Sequence, residues 1–340
     1  MAITIRDVAR EAGVSISTVS KVINRFPTIS QATIDNVHAV MERLEYIPNQ
    51  RAANFARAST KNIAFLVVLE QGQAFGNPHT FEIICGAQNE LEANGYTLTL
   101  INTSNEKKEG ETAKKIILQK SADGIIVHDS KAINQITADF MVNKAFPHII
   151  IGKPQFEHRV SWIDINNVLS GEIAAQHLYQ CGYRRIAFIG GNTESVVASH
   201  RIQGAQSFLY RHGAEINEKF ICDTNQDVKE SYNAMISLLN KSHRPDAIIC
   251  ENSLIAVGVT KALEDNKVSV PKEIGIIMID DNPFSKAIIP RPTVVNINVY
   301  DLGVQTVKSL MRKIKNPALQ VQTYTTLPEL IIRDTTQQPI

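Results

Sequence analysis

Few side chains in this sequence are spaced for covalent chemistry. His128-Asp129-Ser130 gathers the three residue types of a hydrolytic triad, but a working triad is assembled in space from distant segments, and adjacent residues cannot form one. No G-x-S-x-G elbow accompanies it. Gly190-Gly191 follows an apolar run yet lacks the G-x-G-x-x-G spacing of a dinucleotide site, and neither HExxH nor a P-loop occurs. The four cysteines, Cys85, Cys181, Cys222 and Cys250, lie far apart with no CxxC pairing, which argues against a zinc site or a disulfide framework. Catalysis and a cofactor are therefore not expected. Binding chemistry is better represented. Arg201, in SHRIQGAQ, carries a guanidinium fork suited to hydroxyl pairs, carboxylates or phosphates. Asp280 closes the apolar run Ile274–Ile279, where a carboxylate can accept from two neighbouring hydroxyls. The plainer alternatives are a surface ion pair for Arg201 and a metal-binding pair for Asp280-Asp281.

A different chemistry is carried by Thr4 to Asn24, TIRDVAREAGVSISTVSKVIN. Ile5, Val8, Ala9 and Ala12 recur at helical spacing and mark one buried face. Thr4 and Asp7 suit the start of that helix, Gly13 a sharp turn, and Ser15 the start of a second helix buried through Val19, Val22 and Ile23. Ile16, Ser17, Ser20 and Lys21 fall on the opposite face, small or basic groups of a size to enter a major groove. Two amphipathic helices around a glycine also occur in domains that never touch DNA, so spacing alone leaves both readings open.

The residues themselves go further. TIRDVAREAGVSISTVSKVIN closely resembles the DNA-binding signature of the LacI/GalR family of bacterial transcriptional repressors. Tyr46-Ile47-Pro48-Asn49 matches the close of that headpiece. Further matches are Asp123–Ile126, Gln176–Tyr183 with Arg184–Phe188, Arg201-x-x-Gly204, Asn252, Asp280-Asp281 and the closing Leu330-x-x-Arg333-Asp334-Thr335-Thr336. The resemblance implies an N-terminal all-α helix–turn–helix headpiece with a hinge helix, then an α/β two-lobed periplasmic-binding-protein-like core of doubly wound parallel sheets. It implies base reading by Ile16, Ser17 and Lys21, with Ser20, Asn24 and Thr33 near the DNA backbone. Thr4, Ser15, Thr18, Ser30, Tyr46 and Asn49 complete the expected DNA-facing set. In the hinge, NQRAANFARAST, Phe55 stands where the family usually wedges a leucine into the minor groove, and Ala53 replaces a usual arginine.

For the core, the resemblance implies an effector cleft contacted by Arg201, Asn252 and Asp280, with Asp129 in a loop at its edge. Where the family usually has two aromatics after Asn-Pro, this chain has Asn77-Pro78-His79-Thr80, making that side of the pocket more polar. Ser253 and Asn166 stand where acids are common. These missing acids, with Arg201 present, raise the expectation of an anionic ligand such as a sugar phosphate. Otherwise the effector is a sugar or sugar derivative.

The elements that must position these groups follow from the pattern. At 340 residues the chain is too long for one core. Ile34, Val37, Met41 and Leu44 form a third helical stripe ended by Pro48. Beyond it, continuous apolar runs at 63–69, 97–102, 124–127, 149–151, 185–189, 247–250 and 274–279 alternate with helical stretches, the pattern of parallel strands covered on both faces. Asp123-Gly-Ile-Ile-Val and Asp246-Ala-Ile-Ile-Cys echo one another, as two similar halves would. The expected domains are a headpiece over 1–48, a hinge over 49–60, one lobe over 61–160 and 292–322, and another over 161–291 and 323–340. Crossings are expected near 159–162, 290–293 and 322–325.

Residues 1–60 hold seven Lys or Arg against five Asp or Glu, a modest basic excess within a chain of net charge +1. That is weak evidence for nucleic acid unless a dimer presents two copies. No apolar run approaches a membrane span, and MAITIRDVAR lacks the apolar core of a signal peptide, so a cytoplasmic location is expected. RDTTQQPI carries no leucine heptad, which leaves a homodimer on near-palindromic operator DNA as the expected assembly. The expected mechanism is a population shift: an effector favours one setting of the lobes, which permits or forbids pairing of the hinges. A protein partner could act likewise, as in the catabolite-control branch of the family. The rivals are a periplasmic-type binding module and an enzyme on a doubly wound fold.

Overall fold

Short helices with one apolar stripe gain their stability from packing rather than propensity, and the first sixty residues are built this way. In the computed structural model, which describes residues 3–23, 26–46, 59–69, 78–106, 110–128, 133–155, 159–192, 195–214, 216, 218–225, 227–283 and 285–337, the chain divides into two units, Met1–Lys61 and Asn62–Ile340. Asn24, Asn49, Ala53, Phe55, Asn77 and Asp129 lie outside the described residues.

The first unit contains α1 (Ile5–Glu11), α2 (Ile16–Ile23) and α3 (Gln31–Arg43). Val8, Ala9, Ala12, Val19, Val22, Val37 and Val40 form its core, with Ile5, Ile34 and Tyr46 packed around it. Thr4 donates from both its backbone N–H and its hydroxyl to Asp7 Oδ2, at 3.0 and 2.7 Å, fixing the start of α1. Gly13, at φ +65°, makes the turn into α2. Asn36 Nδ2 donates to the Ala12 carbonyl at 2.9 Å, tying α3 to the end of α1.

The second unit is built on two six-stranded sheets. Its elements are β1 (Asn62–Val67), α4 (Pro78–Ala93), β2 (Thr97–Asn102), α5 (Glu111–Gln119), β3 (Gly124–His128), α6 (Gln135–Asn143), β4 (His148–Ile151), β5 (Trp162–Ile165), α7 (Asn167–Gln180), β6 (Ile186–Gly190), α8 (Val196–Arg211), β7 (Ile221–Asp223), α9 (Val228–Leu239), β8 (Ala247–Cys250), α10 (Ser253–Asp265), β9 (Gly275–Ile279), β10 (Thr293–Asn296), α11 (Val299–Lys315), β11 (Thr323–Thr326) and β12 (Glu329–Ile331). The first sheet has the order β11-β5-β4-β3-β1-β2 and the second β12-β10-β9-β8-β6-β7. Pairing is parallel except between β10 and β12. The apolar runs read from sequence are the central strands: β6, β8 and β9 are buried along their whole length, as doubly covered parallel strands must be.

The lobe boundaries differ from the sequence reading. β5 and β11 pair with each other in the first sheet, Thr323 opposite Trp162, while β10 pairs with β9 in the second, Thr293 opposite Ile277. The chain therefore crosses between sheets after Ile165, Asn296 and Thr326, several residues later than expected on each pass. Ladder partners, not local composition, decide which sheet a short strand joins. Trp162 packs against the core of the first lobe.

The crossing of α7 and α8 matters for the site. A Cβ at Gly204 would collide with the Val168 carbonyl, and one at Gly171 with the Arg201 carbonyl. Two glycines thus let the helix backbones meet and set the Arg201 side chain against the start of α7. The Arg201-x-x-Gly204 spacing is that contact seen in sequence.

Candidate functional site

Two surfaces collect the candidate residues, one on each unit. On α2, Ile16, Ser17 and Lys21 are exposed, Ile16 by 45%, which is unusual for so large an apolar side chain without a partner surface. Ser20 and Thr18 are half-buried. Several hydroxyls are engaged in local structure. Ser15 Oγ accepts from the Thr18 N–H at 3.0 Å and lies 2.9 Å from the Thr18 hydroxyl. Ser30 caps α3 by accepting from the Thr33 N–H, with the two hydroxyls 2.9 Å apart. These residues shape the helix starts. Tyr46 packs on the headpiece core, and burial raises its phenol pKa.

In the second unit, candidate groups converge at the carboxyl ends of the parallel strands, where open α/β sheets bind ligands. Glu251 follows β8, Asp280 follows β9, Gly191 follows β6, and Asp164 lies in β5. Arg201 is 4% exposed and fully engaged: Nε donates to Asn167 Oδ1 at 3.0 Å and Nη1 to the Glu251 carbonyl at 3.1 Å. Glu251 Oε1 stands 3.8 Å from Nη1, and Oε2 accepts from the Gly191 N–H at 2.6 Å. Burial draws the Arg201 guanidinium down from its ordinary value, against the opposing pull of Glu251, Asp280 and Asp164.

Asp280 is 2% exposed and takes φ +85°, a left-handed conformation uncommon outside glycine. His79 Nε2, from the start of α4, lies 2.7 Å from its Oδ2, and Asn282 Nδ2 donates to the same oxygen at 3.0 Å. Burial pushes this carboxyl up, but the bond from His79, together with Asn282 and the charge of Arg201, outweighs it and holds the group below the usual carboxylate range. Asp164 behaves oppositely. Burial raises it, and the N–H groups of Lys153 and Ile165, with His200 and Arg201, offset that only in part. Thr80 Oγ1 sits 3.4 Å from His128 Nε2 at the end of β3.

The structure thus brings together His79, Arg201 and Asp280, and seats Thr80 against the neighbouring strand end. Asn252 has a different task from the expected ligand contact: its Oδ1 caps α10 by accepting from the Ile255 N–H at 3.0 Å. Asp281 turns away from Asp280 and forms a two-pronged pair with Arg333, at 3.0 and 2.7 Å, which disposes of a paired-carboxylate metal site. Among the described residues no cluster of His, Cys, Asp or Glu is arranged to hold a metal ion. The closing Arg333-Asp334-Thr335-Thr336 is a staple. Thr335 Oγ1 donates to the Ile276 carbonyl, and Thr336 Oγ1 lies 2.8 Å from both the Thr293 hydroxyl and His177 Nε2.

Sequence reasoning missed Asp164, Asn167, Glu251 and Asn282. Glu251 had a signal, since it directly precedes Asn252 at a strand end. Its presence with Asp164 overturns the anionic-ligand expectation, which rested on absent acids. Three carboxyl groups surround the one guanidinium.

Comparison with known proteins agrees with this layout. Residues 4–49 match the profile described as bacterial regulatory proteins, lacI family, and residues 175–336 that of a periplasmic binding protein-like domain. The ribose operon repressor of Escherichia coli (strain K12) is 30% identical over 331 residues, 97% of this chain and 98% of that protein. The HTH-type transcriptional repressor PurR of Haemophilus influenzae (strain PittEE) is 28% identical over 97% of each chain. The lac repressor dimer bound to operator and the anti-inducer ONPF shares the fold with a TM-score of 0.84 at 22% identity, covering 99% of this chain and all of that one. With a helix–turn–helix unit, a two-sheet core and these relatives over nearly its whole length, the chain belongs to the lacI family of bacterial regulatory proteins and is a DNA-binding transcriptional repressor.

Proposed function

We propose that the chain works in the cytoplasm as a homodimer that grips a near-palindromic operator and releases or tightens its hold when a small polyhydroxy molecule enters the core cleft. The headpiece, 1–48, would read bases through Ile16, Ser17 and Lys21, while the hinge, 49–60, couples it to the core. Thr4, Ser15, Thr18, Ser20, Asn24, Ser30, Thr33, Tyr46 and Asn49 would shape or flank that interface, and Phe55 would act at the minor groove.

The observation that carries the ligand reading is the buried cluster of Arg201, Glu251 and Asp280, which offers fixed donors and acceptors at one place. Arg201 and Asp280 would contact the ligand, with His79 and Thr80 on the opposing lobe and Asp129 and Asn252 at the margin. Vicinal hydroxyls both donate and accept, so a neutral sugar matches such a cluster. A phosphate would add negative charge beside three carboxyl groups. One relative is named for the ribose operon, which makes pentoses the first compounds to try.

The test is thermal unfolding with neutral sugars, sugar phosphates and nucleosides. A ligand at one hundred times its Kd adds about 2.7 kcal/mol, so a neutral sugar should raise Tm by several degrees. Stabilisation by sugar phosphates alone would sink the reading. A gel shift with and without that sugar then tests operator control.

A further inference from the structure

We infer that His79 is this chain's own occupant of the ligand acid, a latch that holds the lobes together until a ligand donor takes its place at Asp280. The inference rests on the polyhydroxy-ligand reading for the exchange step, but the latch itself stands on geometry. His79 begins α4, which follows β1 of the first sheet, whereas Asp280 follows β9 of the second. Their 2.7 Å contact therefore joins the two lobes through side chains. Asp280 is held ionised, so it can only accept, and His79 Nε2 is the donor.

The two partners differ in freedom. Asp280 is 2% exposed, pinned by Asn282 and held at φ +85°, while the His79 side chain keeps 25% of its surface in solvent. The acid is the fixed element and the imidazole the exchangeable one. The charged and titratable groups around the pair are Arg201 from α8, Glu251 from the end of β8, Asp164 from β5 and His128 from the end of β3. None of these bridges to Asp280 from the first lobe as His79 does. Next to His79, Thr80 is seated on His128, so displacing the imidazole loosens the start of α4 from the second lobe while leaving it attached to the first.

A ligand hydroxyl that donates to Asp280 must therefore replace a donor already present. Ligand affinity is set by the difference between the two bonds rather than by the ligand's bond alone. Selectivity follows too: a ligand that cannot donate at that point leaves the latch closed, whatever its other contacts.

The experiment compares His79→Ala and His79→Gln in the full chain. Gln can present an amide N–H where the imidazole Nε2 lies. Hydrogen exchange is measured first without ligand. In His79→Ala, peptides covering 78–85 and 278–286 should exchange about tenfold faster, the order expected for losing a hydrogen bond to a charged group, while His79→Gln stays near wild type and peptides from β6 and β8 do not change. Unchanged exchange, or an equal rise throughout the second sheet, overturns the latch. D-ribose, D-glucose and cellobiose are then titrated by calorimetry. The sugar that binds should bind His79→Ala about tenfold more tightly than wild type. Weaker binding to His79→Ala would make His79 a ligand contact and overturn the exchange. If exchange rises as expected but none of the three sugars binds any form, the latch stands and the polyhydroxy reading falls.

Discussion

Replacing Glu251 with Gln tests whether the cleft's carboxyl groups set its charge preference. The substitution keeps the shape and can keep the bond from the Gly191 N–H, but removes a carboxyl oxygen lying 3.8 Å from Arg201 Nη1. At that separation and an effective dielectric near 20, the gross attraction is roughly 4 kcal/mol. Relief of burying the carboxylate cancels part of it, and Arg201 retains Asn167, the Glu251 backbone carbonyl position and the charge of Asp280. The net loss should be about 2 kcal/mol, or a Tm lower by roughly 4 °C for a chain of this size. Arg201 is then under-compensated, so an anion should gain a site that the wild-type protein denies it. Differential scanning calorimetry in phosphate against chloride, at matched ionic strength, reads both effects. Phosphate should restore a degree or more of Tm to Glu251→Gln and nothing specific to wild type. Equal stabilisation of both proteins by phosphate, or an unaltered Tm in the variant, would refute the reasoning.

Other consequences are as direct. Gly204→Ala forces a methyl group against the Val168 carbonyl; overpacking of this kind costs about 1–3 kcal/mol, and urea titration should show it along with weaker sugar binding, while full stability would mean the helices part freely. Asp281→Asn removes an acid whose carboxyl is pushed up by burial but held below its ordinary value chiefly by Arg333 and Ser285. A depressed carboxyl contributes stability above its unfolded pKa that is lost as pH falls through the folded one, so the variant should be less stable than wild type at pH 7 and the gap should close below about pH 4. A gap constant from pH 7 to 3 contradicts the assignment. On DNA, exchanging Ile16 and Ser17 for other residues should alter which operator is preferred, whereas Lys21→Ala should weaken binding across sequences and lower the salt slope by about one. Selection experiments with randomised operators separate these outcomes.

Much of the architecture was legible because each element announces itself locally. Thr4, Asp7, Gly13 and Ser15 punctuate two helices, and the buried strands read as unbroken apolar runs. Arg201 and Asp280 were legible by resemblance. What escaped depends on distance in three dimensions. Glu251 gains meaning only when β8 lies beside β6 and α8 crosses α7, which delivers the guanidinium to it. Asp164 sits in a four-residue strand whose sheet is chosen by pairing with β11. The contact between His79 and Asp280 joins two lobes, and no local pattern encodes it. Asn252 and Ser30 show the reverse: residues singled out for recognition whose side-chain oxygens are used to start helices.

The order of strands also bears on how the protein is made. The first sheet is not complete without β11, nor the second without β12 and the threonines that fasten it to His177, Thr293 and Ile276. Both of these strands fall within residues 323–331, after everything else in either sheet. During synthesis the DNA-reading unit emerges first with all of its own core, whereas each lobe waits for a segment translated near the finish. A ribosome that stalls before residue 323 would leave a headpiece able to fold attached to a core with two open sheet edges. Quality control acting on those unpaired edges would remove such chains before they could occupy an operator without answering to a ligand.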